Sequence, residues 1–133
     1  MSNQYIIKTC DRLCYDLLLI RDVKCQRCES MENLVPSHCY GKKAWPTLRH
    51  VLDNQLLLCD DCHKWWHRCP LTAWDWFRTR LPERNDKLIT LKWVRVKLNK
   101  IHYQDTREIL HAELKRLESD WGDLDPDGDN LPF

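Results

Sequence analysis

No apolar run in this 133-residue chain approaches the ~20 residues that a membrane span needs. The stretch Asp16-Leu17-Leu18-Leu19-Ile20-Arg21 is too short and too flanked by charge to act as an export signal. With neither feature, the expectation is a cytoplasmic protein. No internal repeat appears beyond one paired cysteine motif. No Lys or Arg follows Arg116, so Glu118, Asp120, Asp123, Asp125, Asp127 and Asp129 stand unopposed. The formal net charge of +1 hides this asymmetry, because residues 1–117 hold 21 basic against 14 acidic side chains, net +7. A body of that charge suits a polyanion such as nucleic acid; an ordinarily solvated surface explains the charge alone equally well.

What the chain does have is eight cysteines. In an exported protein they would suggest disulfides, and in a reducing compartment they suggest metal. Cys25-Gln26-Arg27-Cys28 and Cys59-Asp60-Asp61-Cys62 are two Cys-x-x-Cys knuckles. Each two-residue spacer lets both sulfurs face one ion, so four thiolates match a tetrahedral structural zinc. The alternative is four buried free thiols. Thirty residues separate the knuckles, which is long for a bare zinc ribbon and leaves room for another structure between them. Cys10 and Cys14 lie four apart on one face of an expected helix, where core packing is favoured over a second metal site.

The length suits one small domain with appended helices, whose core gains from a metal staple. Residues 1–22 read as a leader and a helix from Thr9, its N-cap, to about Asp22. Residues 23–81 read as a zinc core. Within it Met31–Val35 is an expected strand running toward His38, Gly41 to Pro46 a loop, and Asp60 to about Arg68 a helix. Thr72 with Asp75 resembles a capping box opening a helix to about Arg80. Residues 82–119 form a helical extension: one helix from Pro82 and Glu83 to Val96, another from Asp105 to near Ser119. Residues 120–133 read as an acidic disordered tail. In it, Asp123-x-Asp125-x-Asp127-Gly128 matches half of an EF-hand loop, but position twelve falls beyond Phe133, so calcium is not expected.

His63 and His67 sit four apart on the expected helix, so both imidazoles share a face and can share a divalent ion. A plain surface histidine is the competing reading for His67. His38 and Asn54 are unremarkable alone; their value lies in order, with Asn54 sixteen residues after His38 and His63 nine after that. Lys42, Lys43 and Arg49 lie between His38 and Asn54, where they can meet phosphates. Lys87, Lys92, Arg95, Lys97 and Lys100 form a run without an acid between Asp86 and Asp105. They are a phosphate-contacting stripe or a solvated face. Trp65, Trp66, Trp74, Trp76, Phe77 and Trp93 can stack on bases, although most are expected to build the core.

His38, Asn54 and His63 in that order, framed by Cys25/Cys28 and Cys59/Cys62, resemble the HNH endonuclease family with its ββα-metal motif. The spacing from Asn54 through His63 to His67 resembles its colicin-type DNase branch. Ser37-His38-Cys39-Tyr40-Gly41-Lys42-Lys43, Leu48-Arg49, Asp53-Asn54 and Leu58-Cys59-x-x-Cys62-His63 are similar to phage-encoded HNH-like proteins of the NinG recombination group. The similarity spans roughly residues 10–117. It implies an α+β fold: a small zinc-stabilised ββα-metal core flanked by an N-terminal helix and C-terminal helices. It implies a metal-dependent endonuclease that serves phage recombination or DNA processing inside a bacterial cell. The partner would be DNA, with branched or otherwise structured DNA and a homodimer as open options. His38 would be the general base, Asn54 would orient the loop or the His38 ring, and His63 with His67 would hold Mg²⁺, Mn²⁺ or another divalent ion. Many family members carry a metal-ligating acid or histidine just before the first histidine, and here that position is Ser37. Asp53, Asp60 and Asp61 are nearby carboxylates that can compensate, or plain loop and helix-start residues. The alternative function is a catalytically weak or inactive zinc-stabilised DNA-binding or adaptor module.

Overall fold

The computed structural model describes residues 3–124, with side chains given through residue 119. The described residues form five α-helices and one two-stranded antiparallel sheet, an α+β architecture. No helix among them is long and apolar enough to cross a membrane. The chain divides into two compact units: the chain up to Leu13 together with the chain from Asn99 onward, and Cys14–Leu98.

The first unit pairs the start of α1 (Asn3–Arg21) with α5 (Lys100–Leu124). Its buried residues include Ile6, Cys10, Tyr103 and Leu110, and Cys10 Sγ donates to the Tyr103 carbonyl at 3.6 Å. α1 begins well before Thr9, which is not a cap. The Thr9 hydroxyl donates back to the Tyr5 carbonyl at 3.0 Å, a mid-helix habit, and buried Ile6 extends the apolar face into the expected leader. α5 begins at Lys100, not Asp105, because Asn99 caps it: Asn99 Oδ1 accepts from the His102 N–H at 2.9 Å. α5 runs to Leu124, past the expected tail boundary at Asp120, and no proline interrupts the sequence before Pro126. The remaining tail, and most of the half EF-hand pattern, lie outside the described residues.

The second unit is built on β1 (Leu34–His38) and β2 (Gln55–Cys59), paired so that Ser37 faces Leu56 and His38 faces Gln55. β1 starts later than the expected Met31 because Asn33 takes the left-handed region (φ 54), which breaks the extended chain. Every residue of β2 is buried. Its second edge is covered too: the Leu57 N–H donates to Asp22 Oδ2 at 3.0 Å, and the Leu57 carbonyl accepts from the Gln26 N–H at 2.9 Å. Leu57 thus turns both backbone groups away from Pro36, so proline removes no ladder bond from β1.

β2 runs directly into α2 (Asp60–Arg68), followed by α3 (Pro70–Arg80) and α4 (Pro82–Leu91). α3 starts at Pro70 rather than Thr72, since proline's fixed φ suits a first helical turn. α4 stops at Leu91 rather than Val96, because Trp93, Val94 and Val96 lose side-chain freedom in a helix. Buried Trp66, Ala73, Phe77 and Leu88 pack with Leu56 and Leu58 of β2. Trp66 and Trp74 meet the Phe77 ring edge-on at 6.1 and 5.6 Å. Most of the expected core aromatics are thus in the core, whereas Trp93 is 72% exposed.

Candidate metal centre and histidine site

The sulfurs of Cys25, Cys28, Cys59 and Cys62 all lie within 4.8 Å of one another. Four ligands ~2.3 Å from one ion in a tetrahedron are about 3.8 Å apart, and Cys28 and Cys59 stand 3.6 Å apart, far beyond a covalent S–S bond. Each knuckle folds back on its first sulfur: the Cys28 N–H points to Cys25 Sγ and the Cys62 N–H to Cys59 Sγ, both at 3.5 Å. Cys59 is therefore the N-cap of α2 and a candidate metal ligand at once. Arg27 joins the centre, a residue that knuckle spacing does not single out. Its guanidinium stacks 3.8 Å from the Trp65 ring centroid and reaches Cys62 Sγ at 3.5 Å. The signal was a basic residue inside a knuckle that must carry anionic sulfur. Burial pushes the Cys62 thiol up to about 12, while at Cys25 backbone N–H bonds outweigh burial and hold it at about 7. Four adjacent thiolates need a cation to ionise together, so the donor set fits a structural zinc.

Ser37, His63 and His67 form a hydrogen-bonded chain. Ser37 Oγ lies 2.5 Å from His63 Nδ1, and His63 Nε2 lies 3.2 Å from His67 Nε2. Burial, then the neighbouring His67, pushes the His63 pKa down, which favours the neutral ring. Two nitrogens ~2.1 Å from one ion stand about 3.0 to 3.4 Å apart for bond angles between square and tetrahedral. The His63–His67 separation fits that range. Ser37 is fully buried and meets the opposite side of the His63 ring, so it orients the ring instead of joining His67.

His38 closes β1. Its Nε2 lies 2.9 Å from the Arg49 carbonyl, which only accepts, so Nε2 carries the hydrogen and the neutral ring keeps its lone pair on Nδ1. Asn54 is fully buried and does not bond the imidazole. Its Oδ1 accepts from the Tyr40 N–H at 2.8 Å, and its Nδ2 donates to the Tyr40 and Leu48 carbonyls at 3.0 and 3.1 Å. Asn54 therefore clamps the loop that leaves His38, while His38 itself holds the loop's far end through Arg49.

Lys42 and Lys43 are exposed on that loop, and the Arg49 carbonyl also accepts from Gln55 Nε2 at 3.1 Å. Arg95 and Lys97 are exposed on the link after α4, not on a helix face, and Lys92 sits among aromatic rings there. Lys87 pairs with Asp53 at 3.4 Å, and Lys100 belongs to the first unit. Two of the carboxylates proposed to compensate for Ser37 have cationic neighbours: Asp53 lies 4.0 Å from Arg84, and Asp60 lies 3.1 Å from Lys64. Cys10 and Cys14 are buried thiols directed at the Tyr103 and His50 carbonyls. No protein-family model, curated protein or solved structure matches the chain.

Proposed function

We propose that this chain is a metal-dependent DNA endonuclease of the HNH class, braced by a structural zinc on four cysteines. One observation carries the reading: a hairpin runs straight into a helix, with His38 ending one strand, His63 and His67 on the helix 3.2 Å apart, and the cysteine quartet tying strand to helix. In this reading the His38 Nε2–H stays on the Arg49 carbonyl, and Nδ1 takes a proton from a water. The oxygen of that water forms a bond to phosphorus, the bond from phosphorus to the 3′ oxygen breaks, that oxygen takes a proton from solvent water, and the ends are 5′-phosphate and 3′-hydroxyl. His63 and His67 would hold a divalent ion such as Mg²⁺ or Mn²⁺, which supplies charge stabilisation at the phosphate and the leaving oxygen. Ser37 fixes the His63 ring, and Asn54 fixes the loop beyond His38. The test is a cleavage panel on supercoiled, linear and branched DNA with Mg²⁺ or Mn²⁺, with His38→Ala as control.

Ser37 also favours a second reading. With a hydroxyl in place of a ligand, the ion has two histidines alone, which suits a zinc-stabilised DNA-binding module without catalysis. That protein would bind DNA with salt-sensitive affinity and leave no nicks on metal addition.

A further inference from the structure

We propose that the surface formed by Tyr40, Trp45 and Trp93 is a stacking site for the bases of an unpaired, single-stranded DNA segment, whose phosphates Lys92 and Arg95 contact. The proposal rests on DNA being the partner and names the form of DNA that this surface takes. Two clefts of about 460 and 490 Å³ meet at Trp45 and Lys92, the first lined by Tyr40 and the second by Trp93 and Arg95. The rings are splayed, not stacked face to face: Tyr40 meets Trp45 at 65° and Trp45 meets Trp93 at 87°. Trp93 stays 72% exposed beside the half-exposed Val94, so its ring is open to a base, while Tyr40 and Trp45 are half-buried and Tyr40 also meets Trp74 at 4.9 Å. The Lys92 ammonium lies 5.3, 5.8 and 5.2 Å from the Tyr40, Trp45 and Trp93 centroids, so a cation sits at the centre of the cluster.

Charge selects the occupant. No acid occurs from Lys87 to Gln104, so the link that carries Trp93 is purely basic. Aromatic faces interleaved with cations bind single strands, because every unpaired base offers a π-face and every linkage a negative charge. A duplex hides its base faces and offers only the charge. The loop bearing Tyr40 and Trp45 is the one that Asn54 clamps and His38 holds through Arg49. Tyr40 is two residues from His38, at most about 7.6 Å between Cα atoms. The stacking surface thus begins two residues along the chain from His38.

The test compares zinc-loaded full-length protein, without added divalent ion, on fluorescein-labelled oligo-dT and on a blunt duplex of equal length. The expected result is tighter binding of oligo-dT by about tenfold or more. Trp93→Ala should weaken oligo-dT binding by about 5- to 150-fold and leave duplex binding unchanged. Lys92→Gln should lower the salt slope for oligo-dT by about 0.7. Equal loss on both DNAs, no loss from Trp93→Ala in protein with an unchanged melting curve, or no binding to either DNA overturns the proposal. The last outcome would point to a protein partner. Failure of the nuclease reading leaves the oligo-dT preference intact, and failure of stacking leaves His38-dependent cleavage intact.

Discussion

Asn54 offers the sharpest test of how the loop beside His38 is held. Its side chain is fully buried and makes three hydrogen bonds, all to loop backbone: the Tyr40 N–H, the Tyr40 carbonyl and the Leu48 carbonyl. At about 1 kcal/mol net per bond, Asn54→Ala should destabilise the second unit by about 3 kcal/mol, before any cost for the cavity or for stranded backbone groups. Asn54→Asp is nearly isosteric and separates shape from bonding. It leaves an oxygen where the amide nitrogen faced two carbonyls, so it should cost at least as much as alanine although no volume is lost. Urea unfolding of zinc-loaded protein, followed by tryptophan fluorescence, measures both. If either variant unfolds within about 0.5 kcal/mol of the parent, the loop is not held by this side chain and the reasoning is refuted.

Other outcomes follow from the same geometry. The protein should carry one zinc per chain by mass spectrometry, and Cys25→Ser or Cys62→Ser should lose it. Structural zinc is worth about 10–16 kcal/mol in small peptides, as much as a domain's whole stability, so those variants should also lose cooperative unfolding. Ser37→Ala should leave folding intact and reduce metal affinity or cleavage about 10- to 100-fold, as expected when a ligand's orienting partner is removed; unchanged Mn²⁺ titration and activity would count against that role. Val23 sits at φ 68 in the turn after α1, where an L side chain is strained. Val23→Gly should therefore raise stability by about 0.5–1 kcal/mol in urea unfolding, the strain relieved exceeding glycine's added chain entropy.

The parts legible in the sequence are those where local chemistry decides. Two-residue cysteine spacers bring sulfurs together whatever surrounds them, and the sulfurs of Cys25, Cys28, Cys59 and Cys62 are indeed together. Asp60 and Asp61 marked the start of α2, and Pro82 the start of α4. Tertiary contacts decided the rest. Thr9 looked like a cap, but the burial of Ile6 carries the helix further back. The acids at Asp105 and Glu108 suggest a later start for α5, whereas Asn99 caps it and the helix begins at Lys100. Ser37 read as a missing ligand; only the fold reveals that its hydroxyl faces His63 Nδ1. Arg27 and the Lys92 cluster depend on rings far away in sequence, which no spacing rule reaches.

The most direct measurement is nicking of supercoiled DNA by zinc-loaded protein with added Mg²⁺ or Mn²⁺, beside His38→Ala at equal zinc content. The account predicts metal-dependent nicks with 5′-phosphate ends that fall by at least about 100-fold in His38→Ala, the usual worth of a positioned base. Nicking that is absent on every substrate, or equal in His38→Ala, would contradict it.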